Sequence, residues 1–121
     1  MKESVLKIKS ELFADRIVKL FKYLQTNRSE FVLSKQILRS GTSIGANVAE
    51  AAFAASKKDF LAKMMIATKE YNETVFWLQR LKNANYLSDE QFRSIHDDCL
   101  ELGRLLMATT RTTKASMTTN K

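Results

Sequence analysis

The chain contains no proline in 121 residues, and this absence constrains its fold more than any other feature of the sequence. Proline interrupts helices and marks tight turns, so a chain without it can form long unbroken helices. Only three glycines are present, and there is little sign of the alternation of β-branched and polar residues that is typical of strands. We therefore predict an all-α fold.

Apolar residues recur at three- and four-residue spacings in the first half of the chain, which is the pattern of amphipathic helices. The first helix is predicted from about Glu3 to Thr26, with an apolar set of Val5, Leu6, Leu12, Phe13, Ile17, Leu20 and Leu24. The polar sequence TNRSE then predicts a turn. The second helix is predicted to begin between Ser29 and Ser34 and to run to about Ala55.

Two capping-box patterns mark the remaining helices. Ser56 with Asp59 predicts the start of a third helix, which ends at the sequence NAN before Tyr86. Ser88 with Gln91 predicts the start of a fourth helix, which runs to about Ala108. Four helices joined by short turns must pack as antiparallel neighbours, so we predict an up-down-up-down four-helix bundle over residues 1–108. Residues 109–121 are rich in threonine without apolar periodicity, which predicts a flexible basic tail.

The second helix is built from unusually small residues. One face, which includes Ile37, Ile44 and Val48, serves the bundle core. A second stripe of apolar and small residues lies beside it, where a bundle helix would normally face water. We therefore predict that a second copy of the chain covers this stripe and a similar face of the third helix. The interface candidates are Leu38, Gly45, Ala49, Phe53, Ile66 and Trp77.

A polar ridge occupies the remaining arc of the second helix, because Ser40, Ser43, Asn47 and Glu50 are spaced by three and four residues. In surroundings this tight the Glu50 carboxylate needs hydrogen-bond donors. Asn47, Ser43 or a basic group of a neighbouring helix could supply them.

The net charge of +7 and the pI near 9.7 point to polyanions as partners. Most of the excess lies in residues 1–58, which hold eleven Lys and Arg against five Asp and Glu. Lys9 and Arg16 share one flank of the first helix, other cations extend the charge, and two lie in the tail. The nucleic-acid-binding candidates are Lys9, Arg16, Lys19, Lys22, Lys35, Arg39, Arg111 and Lys114.

Catalytic chemistry finds no support in the sequence. A di-iron site in a helix bundle needs Glu-x-x-His pairs, but His96 is the only histidine and Arg93 lies three residues before it. His96 with Cys99 supplies two ligands, which do not complete a zinc site. No phosphate-binding loop or nucleophile elbow is present. We predict a non-enzymatic protein with no catalytic residue, metal or cofactor.

Cellular location is constrained by three features. No apolar run reaches the roughly 18 residues of a membrane span, the N-terminus does not resemble a signal peptide, and the single cysteine excludes an internal disulfide framework. We expect a cytoplasmic protein with no membrane partner.

The segment around Glu50 resembles the signature of the four-helix-bundle proteins encoded within intervening sequences of bacterial 23S ribosomal RNA genes, the S23 family. The resemblance is carried by Leu38-Arg39-Ser40, Ser43-Ile44, Ala46-Asn47 and Ala49-Glu50. It extends to the SKKDF sequence before the third helix and to Glu73, which stands at a glutamate position of the family; we group Glu73 with the polar ridge.

This resemblance implies a homo-oligomeric bundle, with relatives known as five-membered rings. It also implies a connection with nucleic acid, because the chain is similar to the accessory variability determinant of diversity-generating retroelements, a basic pentameric bundle that associates with its reverse transcriptase and with nucleic acid. Two hypotheses follow for this chain. The first is a homo-oligomer that binds RNA or DNA through backbone electrostatics. The second is a scaffold that docks a protein such as a reverse transcriptase without a direct nucleic-acid role.

Overall fold

The computed structural model describes residues 4–119, and within them four helices follow one another along the chain. They are α1 (Val5–Arg28), α2 (Leu33–Ala51), α3 (Lys57–Asn83) and α4 (Asp89–Thr119). The predicted helix start at Glu3 and residues 120 and 121 of the predicted tail lie outside the described residues. Neighbouring helices in the chain pack side by side and α4 returns to α1. The all-α, up-down-up-down bundle is therefore confirmed.

The helix ends follow the local signals of the sequence. The Ser56 hydroxyl accepts a hydrogen bond from Asp59 N–H at 3.1 Å, and Ser88 and Gln91 cap each other's backbone amides at 2.9 and 3.1 Å. Asn85, with φ of 65°, reverses the chain after α3, a conformation that asparagine tolerates. The Ser88–Gln91 capping box and the NAN turn are confirmed. At the start of α3 the serine half of the predicted box is present, but the Asp59 carboxylate accepts from Ala55 N–H at 3.5 Å instead of from Ser56 N–H.

The start of α2 depends on a residue that the sequence reading left in a turn. Glu30 is buried, and its carboxylate accepts hydrogen bonds from the backbone N–H groups of Val32, Leu33 and Ser34 at 3.2, 3.0 and 2.6 Å. Burial raises the pKa of Glu30, but these donors together with the Ser34 hydroxyl outweigh it and leave the pKa below its ordinary value. One acidic side chain thus satisfies the free amides of the helix.

Two helix boundaries were predicted wrongly. Helix α2 ends at Ala51 rather than near Ala55, so Phe53 belongs to the turn before α3. Helix α4 continues to Thr119, eleven residues past the predicted end at Ala108. This extension lets α4 run beside the whole of α3, because the Lys57 ammonium at the start of α3 hydrogen-bonds the Ser116 hydroxyl.

Threonine side chains inside the extension also bond backward along the helix. Thr113 and Thr118 donate to the carbonyls of Thr109 and Lys114 at 2.8 and 3.0 Å. These bonds satisfy hydroxyls that would otherwise compete with the helix backbone. Residues 109–119 are therefore part of the bundle and not a separate tail.

The core lies along the axis of the bundle, and its residues mostly belong to the predicted apolar stripes. Phe13, Ile17 and Leu24 of α1 are buried, but Val5 and Leu12, which the apolar period had included, are 55% and 60% exposed on the outer side of α1. Together with Ile8 they form an exposed apolar stripe. None of the helices in the described residues is long and apolar enough to cross a membrane.

The glycines of α2 allow α1 and α2 to approach closely. A methyl group added at Gly41 would lie 2.7 Å from Ile17 Cγ1, and one at Gly45 would lie 3.2 Å from the Ser10 carbonyl oxygen. Both distances are shorter than an ordinary van der Waals contact. Packing within the chain therefore explains why these two positions are small.

Candidate nucleic-acid interface

Two predicted binding residues of α1 are engaged by carboxylates of α4. The Lys9 ammonium lies 2.8 Å from Glu101 Oε2, and the Arg16 guanidinium lies 2.6 Å from Asp98 Oδ2. Arg16 also donates to the hydroxyl and carbonyl oxygens of Ser94 at 3.0 and 3.2 Å. These contacts tie α1 to α4, where the two helices pack over less of their length than the other neighbouring pairs. Their charges are already neutralised.

Arg39 of α2 is also paired with carboxylates, in this case those of α3. Its guanidinium donates to Glu70 Oε2 at 3.0 Å and to Glu73 Oε1 at 2.6 Å. The Glu70 side chain is only 12% exposed, so Arg39 compensates a largely buried carboxylate. We therefore assign Arg39 to the contact between α2 and α3, and Glu73 lies beside it.

Other predicted cations remain available for a ligand. Lys19, Lys22 and Lys35 are exposed on α1 and α2, and within residues 4–119 no carboxylate lies within salt-bridge distance of them. The same holds for Arg111 and Lys114 of α4. The eight predicted binding residues are thus divided, and they do not form one continuous face.

The extension of α4 places Arg111 and Lys114 on the same helix as a further cation unpaired in residues 4–119, Arg104, which the sequence prediction had not included. Arg104, Arg111 and Lys114 are spaced by seven and three residues and share one side of α4; we call them the α4 cations. Burial raises the pKa of Tyr71 on α3, the nearby Cys99 thiol adds to the rise, and the charge of Arg104 opposes it, which places Arg104 close to α3. Lys69 on the neighbouring surface of α3 is also exposed. This grouping could not be predicted because α4 was expected to end at Ala108. Arg104 and Arg111 share one side of a helix only if the helix continues past that residue.

A groove runs between α3 and α4 beside these cations. It has a volume of about 480 Å³ and is lined by Met65, Thr68, Met107, Thr110, Arg111 and Lys114; we call it the α3–α4 groove. Met65 and Met107 are 54% and 49% exposed. The Thr110 hydroxyl is buried and has no hydrogen-bond partner among the described residues. The groove therefore combines an apolar floor with two cations and no carboxylate.

The two grooves between α1 and α4 differ from the α3–α4 groove because carboxylates line them. One, of about 660 Å³, includes Glu90 with Arg16 and Lys19. A second, of about 470 Å³, balances Lys9, Arg16 and Lys19 with Asp15, Asp98 and Glu101. These carboxylates would repel a phosphate backbone at close range. A polyanion is therefore favoured at the α3–α4 groove over these two.

The polar ridge of α2 is internal to the bundle only at Ser40, while Ser43 and Asn47 are half-buried. Ser40 is buried and its hydroxyl accepts a hydrogen bond from Thr74 Oγ1 at 3.0 Å, while Ser43 and Asn47 donate to backbone carbonyls of their own helix. Glu50 is exposed rather than tightly enclosed, and Lys63 of α3 lies 3.2 Å from it. The expected basic partner of Glu50 is present, but the enclosed surroundings are not.

The predicted interface candidates lie in different places. Gly45 is buried against α1, and Leu38 packs against the core, so neither provides an open face; assigning Gly45 to a contact with another copy was wrong. Ala49 is half-buried and lies eight and four residues after Gly41 and Gly45, which face α1. Phe53 is 89% exposed in the turn after α2, and Ile66 of α3 is 43% exposed.

Trp77 is a half-buried residue whose indole N–H finds no acceptor among the described residues. Like Ile66, it lies on α3.

His96 and Cys99, the two possible metal ligands of α4, are both engaged in packing within the chain. His96 stacks on Phe92 with ring centroids 4.6 Å apart, and Cys99 is fully buried. Burial raises the pKa of the Cys99 thiol to about 12, with a further contribution from Asp98. Within residues 4–119 no three His, Cys, Asp or Glu side chains are grouped as a metal site would need.

Comparison with known proteins decides the family. The model of the 23S rRNA-intervening sequence protein family matches residues 2–108. The chain belongs to this family. A crystal structure of a protein of unknown function from the S23 ribosomal protein family of Bacteroides thetaiotaomicron is 52% identical with a TM-score of 0.86, over 88% of this chain and 98% of that one. No curated protein matches. Residues 109–119 of α4, which carry Arg111 and Lys114, lie beyond the segment that the 23S rRNA-intervening sequence family model covers.

Proposed function

We propose that this member of the 23S rRNA-intervening sequence family is a non-enzymatic protein that binds nucleic acid, RNA in the first place, through contacts with the phosphate backbone. The observation that supports this most is the division of its cations. Lys9, Arg16 and Arg39 are neutralised within the chain, whereas the α4 cations and Lys69 are exposed without a carboxylate partner in residues 4–119. Free cations grouped on one side attract polyanions and release counterions on binding.

We further propose that the protein acts as a homo-oligomer, which multiplies this positive surface. Support comes from apolar side chains that the single chain leaves exposed, namely Phe53 in the turn after α2 and the α1 stripe of Val5, Ile8 and Leu12. An exposed apolar stripe along a helix is typical of a contact surface. Light scattering at micromolar concentration is expected to report an oligomer, and Leu12→Glu is expected to weaken it. A wild-type monomer would contradict this part.

The binding experiment is fluorescence anisotropy with unrelated RNA and DNA across a salt series. Affinity should fall steeply as salt rises, because each phosphate contact contributes about −0.9 to the log–log slope for a duplex and about −0.7 for a single strand. Replacing Arg111 and Lys114 with glutamine should lower the slope, whereas Lys22→Gln with Lys35→Gln removes the same charge elsewhere and serves as the control. No binding at low salt would reject the proposal.

Protein docking is the second candidate function. The α1 stripe favours it, because Leu12 is 60% exposed and a partner helix could bury these side chains as readily as a second copy could. A partner such as a reverse transcriptase would then use the apolar stripe and leave nucleic acid without a direct contact. Loss of partner binding in Leu12→Glu, together with no affinity for nucleic acid at low salt, would select this function.

A further inference from the structure

We infer that the α3–α4 groove receives an unpaired nucleobase, so that the protein prefers single-stranded nucleic acid to duplex. This inference rests on the proposed nucleic-acid function and specifies its ligand.

The floor of the groove is suited to the face of a base. Met65 of α3 and Met107 of α4 expose about half of their side chains into it. Methionine is polarisable and adapts its shape, and it makes favourable contacts with aromatic rings. The volume of about 480 Å³ falls within the roughly 300–1,000 Å³ of sites that hold small organic ligands. A flat aromatic ring can therefore be covered there.

The groove also offers a polar group for the edge of a base. The Thr110 hydroxyl is buried without a hydrogen-bond partner in residues 4–119, and a buried group of this kind requires a physical explanation. A hydroxyl both donates and accepts, so rotation of the Thr110 side chain toward the groove would let it bond to several bases without selecting one. The Thr68 hydroxyl, on the opposite wall, already donates to the Met64 carbonyl at 2.9 Å.

Charge complementarity identifies the ligand as a polyanion. Arg111 and Lys114 line the groove, Arg104 precedes Arg111 by two helical turns, and Lys69 adjoins Thr68. From Arg104 to Lys114 the helix advances about 15 Å, at about 1.5 Å per residue, which allows contact with successive phosphates of one strand. Within residues 4–119 no carboxylate lines the groove.

The apolar floor separates single strands from duplexes. A duplex keeps the faces of its bases stacked, so it could use the cations but would leave Met65 and Met107 uncovered. A single strand can turn a base onto an apolar or aromatic surface while its phosphates contact the surrounding cations. The groove thus gains a contact from a single strand that a duplex cannot make.

The test compares a fluorescent single-stranded 12-mer with a duplex of the same length by anisotropy. The single strand is expected to bind roughly tenfold more tightly, and Met107→Ala to lower its affinity roughly fivefold without changing the salt slope, since contacts with bases depend little on salt. Met107→Ala should leave duplex binding unchanged. Val32→Ala, which also shortens an exposed apolar side chain and lies outside both proposed contact surfaces, is the control and should leave both affinities unchanged.

Electrostatic variants test the other part of the site. Replacing Arg111 and Lys114 with glutamine should reduce the single-strand salt slope by about 1.4, because two contacts are lost at about 0.7 each. Circular dichroism of every variant checks that the helices are intact. Equal or tighter binding of the duplex overturns the inference and leaves the proposed function standing. Absence of all nucleic-acid binding at low salt overturns both.

Discussion

Replacing Gly41 with alanine should destabilise the protein, even though alanine favours a helix. The new methyl carbon would lie 2.7 Å from Ile17 Cγ1 and 2.9 Å from its Cδ1 and Cγ2. Carbon atoms pack best at about 3.5–4.0 Å, so α1 and α2 would have to separate by several tenths of an ångström or more. Ile17 is 0% exposed, so its side chain is enclosed by the core and cannot move out into solvent.

The expected size follows from two opposing effects. Overpacking a core costs about 1–3 kcal/mol, whereas replacing glycine by alanine inside a helix gains about 1 kcal/mol. Three carbons of Ile17 closer than 3.0 Å place the cost in the upper part of that range, about 2–3 kcal/mol. The net loss should then be about 1–2 kcal/mol, which lowers Tm by roughly 4–8 °C in a domain of this size. Urea denaturation followed by far-UV circular dichroism, at one fixed protein concentration, measures it.

The effect of Gly41→Ala on stability should change sign in a protein that already carries Ile17→Ala. Ile17→Ala removes all three contacting carbons and costs about 2–5 kcal/mol by itself. In that background Gly41→Ala should stabilise the protein by about 1 kcal/mol, because only the helix preference remains. Ala46→Gly, at an exposed position of α2, measures the helix preference separately. If Gly41→Ala has the same sign in both backgrounds, close packing against Ile17 does not explain the glycine.

Three further predictions concern other parts of the bundle. The stability of the wild type should fall above about pH 9, because the pKa of Cys99 rises from 9.0 to about 12 on folding and the unfolded thiol loses its proton first; Cys99→Ala should flatten this fall in pH-dependent urea denaturation, and an equal slope in both proteins would contradict the assignment. Glu30→Gln should cost about 1–2 kcal/mol at pH 7 through the lost charge at the start of α2, and the difference from wild type should shrink as pH falls below the unfolded pKa near 4.5, since the folded pKa is lowered; a difference independent of pH would refute this. Ending the chain after Ala108 should lower Tm because the start of α3 loses its contact with Ser116 of α4, whereas deleting residues 120 and 121 should have little effect; equal Tm values for both truncations would show that the extension does not stabilise the fold.

Secondary structure and topology were largely predictable because both depend on local signals. The apolar period, the capping serines Ser56 and Ser88, and the short turns are each visible within a few residues of the chain. The end of α4 was not predictable in this way. Threonine has a weak intrinsic preference for helix, and what favours helix in residues 109–119 is the neighbouring surface of α3, which only the fold supplies.

The candidate site was harder to predict, because charge in a sequence does not show which charges are already paired. Arg16 and Arg39 looked like ligands for a polyanion until the fold placed Asp98 and Glu70 beside them. Gly45 looked like a contact with another copy until α1 was found against it. Such pairings join residues tens of positions apart, and a periodicity read along one helix carries no information about its neighbour.

The limited packing between α1 and α4 should make this junction the part of the bundle whose local stability depends most on ionic strength. Its Lys9–Glu101 and Arg16–Asp98 bridges are partly exposed, so dissolved ions weaken them more than they weaken buried apolar packing. Local opening should therefore begin at this junction, with amide hydrogens near Ser94 and Asp98 exchanging sooner as ionic strength rises.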